Sequence, residues 1–114
     1  MSLKPNKHQL NSTFPLFLDI PNQLVEGFSN VALSIKREDL IHPFVSGNKY
    51  RKLKYNLHQA AAENQQKLLT FGGAFSNHIA AVAAAGKMNQ LQTIGIIRGD
   101  ELANGIADNP TLRF

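Results

Sequence analysis

Apolar and polar positions alternate from Val31 to Lys36, where Val31, Leu33 and Ile35 are separated by smaller or polar residues. A period of two predicts a strand. The period lengthens from about Lys49 to Gln65, where Tyr50, Leu53, Leu57 and Ala60-Ala61 fall on one face of a helix. Asn48 is placed to cap that helix, because its side chain can accept from a free backbone N–H. A short apolar run from Lys67 to Phe71 predicts a buried strand, broken by Gly72-Gly73. Ser76 then caps an alanine-rich helix reaching about Met88, and alanine loses no side-chain entropy on entering a helix. Gln92 to Arg98 reads as a third strand, Gly99 to Pro110 as a loop, and Thr111 to Phe114 as the start of another element. Residues 1–30, with Pro5, Pro15 and Pro21, read as an extended arm with turns, and Arg37 to Asn48 as a loop. Strand, glycine turn, helix and strand in that order form a βαβ unit, which favours a parallel sheet and an α/β class.

Composition narrows the chemistry. The chain has 114 residues, enough for one small domain, with 43% hydrophobic and 18% charged residues, a globular balance. It has no cysteine, so disulfides and cysteine-ligated metal sites are excluded. His8, His42, His58 and His78 contain no pair at the i, i+4 spacing of a helical metal site, and no metal is expected. No 18-residue apolar stretch predicts a membrane span, and the polar N-terminus does not read as a signal peptide, which leaves the cytoplasm as the default. The net charge of +4 suits an anionic cofactor or small acid as well as it suits a nucleic acid.

Two stretches carry candidate chemistry. In Ser46-Gly47-Asn48-Lys49-Tyr50-Arg51-Lys52-Leu53, Lys49 follows a flexible Ser-Gly step at a predicted helix start. A lysine attacks a carbonyl only when neutral, and at an ordinary pKa only about one in 2,500 is neutral at pH 7. Neighbouring cations such as Arg51 and Lys52, and partial burial, disfavour the protonated form. The same cations also fit a solvated helix face. With Tyr50, Lys54 and Tyr55 they fit a basic, aromatic helix that meets nucleic-acid phosphates, the alternative function for the chain.

In Leu69-Thr70-Phe71-Gly72-Gly73-Ala74-Phe75-Ser76-Asn77-His78-Ile79, a glycine pair ends a strand and lets backbone approach a ligand. The helix N-terminus that follows directs free N–H groups at an anion, and Ser76, Asn77 and His78 add a hydroxyl, an amide and an imidazole. The same residues also serve as ordinary turn punctuation. Neither a G-x-G-x-x-G nor a Walker pattern is present.

Taken with Lys36-Arg37-Glu38-Asp39-Leu40, these stretches resemble the aminocyclopropane-carboxylate deaminase and D-cysteine desulfhydrase family in order and spacing, over about Leu33 to Phe114. The resemblance implies a parallel-sheet βαβ fragment of a pyridoxal 5′-phosphate (PLP) enzyme of fold type II, tryptophan-synthase-β-like and truncated. Residues 1–65 would belong to the large, PLP-binding domain, and residues 66–114 would begin the smaller three-layer α/β domain. Lys49 matches the lysine that carries the cofactor covalently and then moves protons as general base or acid. Lys52 matches a position near the cofactor phosphate, Asn77 the asparagine at the ring 3′-oxygen, and Asn48 a residue that positions Lys49. Ser76 matches a catalytic serine that meets the substrate, and Ser76, Asn77 and His78 together would hold its carboxylate. The partners implied are a small amino acid and a second copy of the full-length protein, with no nucleic acid and no membrane. The chain departs from well-characterised deaminases at Ala74-Phe75 and Ile79-Ala80, which leaves deamination of the cyclopropane substrate and desulfhydration of a D-amino acid both open. The phosphate-gripping glycine loop of the family falls outside these residues, so the fragment alone is expected to be inactive.

Overall fold

The computed structural model describes Phe14 and residues 18–113. Most of the arm expected over residues 1–17, with His8, and Phe114 lie outside the described residues. Six regular elements follow one another: β1 (Asn22–Val25), β2 (Leu33–Lys36), α1 (Gly47–Ala62), β3 (Lys67–Gly73), α2 (Asn77–Met88) and β4 (Gln92–Arg98). A short 3₁₀ helix, Glu38–Leu40, joins β2 to the loop before α1, and a longer one, Asp100–Asp108, follows β4.

The predicted βαβ unit is present. β3 and β4 pair in parallel, from Lys67 opposite Gln92 to Gly73 opposite Arg98. α2 packs on one face of this pair, and small residues make the approach possible. A Cβ on Gly72 would lie 2.7 Å from Ile79 Cγ1, and one on Gly86 would lie 2.2 Å from Thr93 Cγ2. Gly72 and Gly73 therefore do not break the strand as expected. Both belong to β3, and Gly72 makes room for α2 rather than for a ligand.

The core lies between the two helices. Tyr50, Leu53 and Leu57 of α1 meet Ala81, Val82, Ala84 and Ala85 of α2, and Phe14, Val45 and Leu91 close the cluster. The helical spacing in the sequence thus marks the face that α1 buries. The buried alanines carry little bulk, which lets α1 and α2 pack closely.

Four expectations need correction. Residues 22–25, read as part of an irregular arm, form β1 and pair antiparallel with β2. β3 is not a buried strand: Leu69 and Phe71 are 59% and 66% exposed, because they stand on the face opposite α2. The segment after β4 is largely 3₁₀-helical, bent at Gly105, where the sequence suggested loop. Asn48 does not cap α1. Ser46 occupies the cap position in an extended conformation, and Gly47 follows at φ +55°, a left-handed value that favours glycine.

Candidate active site

Lys49 is positioned by the chain just before it. The His42 ring accepts, at Nδ1, from the backbone N–H groups of Phe44 and Val45 at 3.1 and 3.2 Å. Val45 is fully buried and anchors the loop in the core. The Ser46 carbonyl then accepts from the N–H groups of Lys49 and Tyr50 at 3.2 and 3.4 Å, which starts α1. Lys49 emerges half-buried. It lines a cavity of about 500 Å³, within the range typical of small-ligand pockets. Ser46, Gly47 and Asn48 share the wall, with Pro43, Phe44 and Ala80 supplying apolar surface.

Asn77 lines the same cavity from the start of α2. Beside it, Ser76 caps α2 as expected, its Oγ accepting from the His78 N–H at 3.2 Å. The His78 ring turns back onto β3, where Nε2 lies 2.9 Å from Thr70 Oγ1. Its pKa is pushed below the ordinary imidazole value, first by burial and then by the charges of Lys52 and Lys49. The region around Lys49, Lys52 and the start of α2 therefore favours negative charge.

A broader groove of about 780 Å³ opens at the C-terminal ends of β3 and β4, lined by residues that include Gly73, Phe75, Ser76 and Arg98. It holds no lysine. The smaller cavity, in contrast, is lined by Lys49. The structure thus brings Asn48, Lys49 and Asn77 to one wall. It sets Ser76 on the adjoining groove, with His78 between β3 and α2, and leaves Lys52 exposed outside the cavity lining.

Arg51 does not act as an unmatched cation beside Lys49. Its guanidinium grips Glu38, with Nε at 3.2 and 3.4 Å from the two carboxylate oxygens and a terminal nitrogen at 2.5 Å from one of them. This bond holds the Glu38 carboxyl below its ordinary pKa. The basic helix suggested for nucleic acid also dissolves on inspection. Tyr50 is buried with its ring 5.5 Å from that of Phe14, and Lys54 is buried with its ammonium 4.6 Å from the Tyr55 ring centre. Nothing supports the nucleic-acid reading. His42, Glu38 and Thr70 are absent from the sequence-derived site because their partners, from two to 13 residues away in the chain, follow no recognised spacing.

The donor set, an amine from one helix and an amide from a second beside apolar walls, fits a planar, polar-edged group such as PLP. The site therefore defines a class: an α/β protein with a lysine-bearing cavity, walled by apolar groups and amides and by the Asp39 carboxylate. Comparison with known proteins gives the particular relatives. A Pyrococcus abyssi protein named provisionally as a 1-aminocyclopropane-1-carboxylate deaminase is 36% identical over 75 residues, covering 66% of this chain and 23% of that protein. The Arabidopsis thaliana bifunctional D-cysteine desulfhydrase/1-aminocyclopropane-1-carboxylate deaminase, named as mitochondrial, is 37% identical over 70 residues, 61% of this chain and 18% of that protein. The Bradyrhizobium diazoefficiens 1-aminocyclopropane-1-carboxylate deaminase is 48% identical over 59 residues, 48% of this chain and 18% of that protein. The chain is a homologue of proteins carrying these two activity names, and it spans about a quarter or less of the length of these three relatives. No family model and no solved structure matches it. Among the described residues, no helix is long and apolar enough to cross a membrane.

Proposed function

We propose that this chain supplies the lysine-bearing part of a PLP-dependent deaminase or lyase of fold type II, acting on a small amino acid in the manner of 1-aminocyclopropane-1-carboxylate deaminase or D-cysteine desulfhydrase. The observation that carries the reading is that Lys49 and Asn77, contributed by different helices, line one cavity in a chain whose homologues bear those names. A cytoplasmic setting and pairing of two full-length subunits belong to the same proposal.

When bound, PLP supplies an electron sink for the pair released at the carbon beside the substrate nitrogen. Lys49, Asn77 and Asn48 would hold it, with Lys52 outside the cavity lining. Lys49 offers an amine that takes a proton from carbon and returns it. Asn77 offers an amide that can both donate to and accept from a ring substituent. Lys52 adds positive charge for the phosphate, and Asn48 lines the wall beside Lys49. Ser76 accepts from the His78 N–H through Oγ, so its own O–H stays available to donate to a substrate carboxylate or a departing group. The first-turn N–H groups of α2 add further donors for a carboxylate. His78, kept toward its neutral form and near Thr70, can pass a single proton without adding a third charge beside Lys49 and Lys52.

Titration with PLP tests the reading. The absorbance of lysine-bound cofactor is expected to rise to saturation with the native chain and to be lost in Lys49→Ala. A band that persists in that variant would show that another lysine carries the cofactor.

A further inference from the structure

Of the segment Lys36-Arg37-Glu38-Asp39-Leu40, Asp39 reaches the wall of the Lys49 cavity, and the contacts of Arg37 and Glu38 assign the segment a further part. Arg37 faces backward. Its N–H donates to the Pro21 carbonyl at 2.9 Å, and its guanidinium bonds Asp39 at 2.6 to 3.2 Å and reaches the Gln23 side chain on β1. Glu38 faces forward and meets Arg51 of α1. The short 3₁₀ turn thus links the β1–β2 hairpin to the helix that bears Lys49.

α1 needs such a link. Its cap residue Ser46 makes no side-chain bond to the first turn, its first residue is a left-handed glycine, and its first turn contains no acidic residue. A helix N-terminus carries partial positive charge, which this helix compounds with Lys49, Arg51 and Lys52. Glu38 brings from another element the negative charge that the first turn lacks. It does so through a guanidinium–carboxylate fork, which fixes direction as well as distance. The two groups are partly exposed, at 44% and 27%, so the pair matters more for geometry than for stability.

We propose that the Glu38–Arg51 pair is a positioning device for Lys49: it ties the uncapped start of α1 to the preceding turn and neutralises the cation two residues beyond Lys49, so that the lysine amine is presented to the cavity at one place. The function of that placement rests on the PLP reading, but the placement itself is testable without the cofactor.

The test is competitive acetylation of the native chain with limiting acetic anhydride between pH 7 and pH 11, read by peptide mass spectrometry with Lys87 as internal reference. Glu38→Gln and Arg51→Gln are expected to shift the reactivity profile of Lys49 at least three-fold relative to Lys87. Far-UV circular dichroism is expected to stay unchanged. The charge-reversed pair, Glu38→Arg with Arg51→Glu, is expected to restore the native profile. Lys49 profiles in both single variants within two-fold of native would overturn the proposal, as would a reversed pair that restores nothing. Borohydride trapping of PLP on the native chain is read separately, so failure of the cofactor reading does not mimic failure of the pair.

Discussion

His78 couples the two stretches that carry the candidate chemistry. It belongs to α2, touches Thr70 of β3 and feels the charges of two lysines of α1. Because its folded pKa is depressed, the unfolded chain binds a proton more readily. Stability is therefore full above the ordinary imidazole value of about 6.5 and falls as the pH drops below it toward the folded value. Glu38 and Asp39, whose pKa values are also held down, add their own loss only in the lower carboxylate range. Urea midpoints at pH 7.5 and pH 5.5 separate the two. The native midpoint is expected to fall over that interval, and His78→Gln is expected to fall less. An equal fall in both would contradict the environment described for His78. At this scale the sequence shows which residues could act. It does not show that Arg51 is already engaged, since its partner Glu38 lies 13 residues back in a turn that no local pattern announces.

Three glycines divide the elements by what stands over them. Gly86 faces Thr93 Cγ2 and the Leu91 carbonyl, Gly72 faces Ile79 and the Ser76 hydroxyl, and Gly73 faces open space. Alanine at Gly86 is expected to cost about 2 kcal/mol or more, at Gly72 about 1 kcal/mol, and at Gly73 close to nothing. Thermal or chemical denaturation of the three variants checks the order. A Gly73→Ala chain less stable than Gly86→Ala would contradict the packing of α2 on the sheet. Elements with a full period were legible. The Tyr50, Leu53, Leu57 series gave the buried face of α1, and the apolar run from Gln92 to Arg98 gave β4 with its bounds. β1 was missed because Asn22–Val25 has only four residues between a proline and an acidic residue, too few to show a period. The 3₁₀ run after β4 was missed because Gly99 and Gly105 read as loop residues.

The parallel β3–β4 sheet carries an apolar face that α2 does not cover. Leu69 and Phe71 of β3 stand opposite Ile94 and Ile96 of β4, and all four are between 43% and 66% exposed. Aligned apolar side chains across a parallel pair form a contiguous patch of the kind that binds hydrophobic dyes. Leu69→Thr with Phe71→Thr is expected to reduce the fluorescence of bound anilinonaphthalene sulfonate with little change in the unfolding midpoint, since neither side chain contributes to the buried core. A large drop in the midpoint would place these residues in contacts the structure does not contain. The parallel sheet was legible from the order of elements, whereas the exposure of one face was not. Apolar runs of five to seven residues predict burial on both faces, and only the position of α2 shows which face is covered.

The central claim is that Lys49 is the residue of this chain that carries PLP. Its most direct test is reduction with borohydride after PLP addition, followed by mass spectrometry of the labelled peptides. A phosphopyridoxyl group concentrated on Lys49 and absent from the Lys49→Ala chain is the predicted result. Label spread evenly over Lys49, Lys52, Lys67 and Lys87, or unchanged in the variant, would contradict the account.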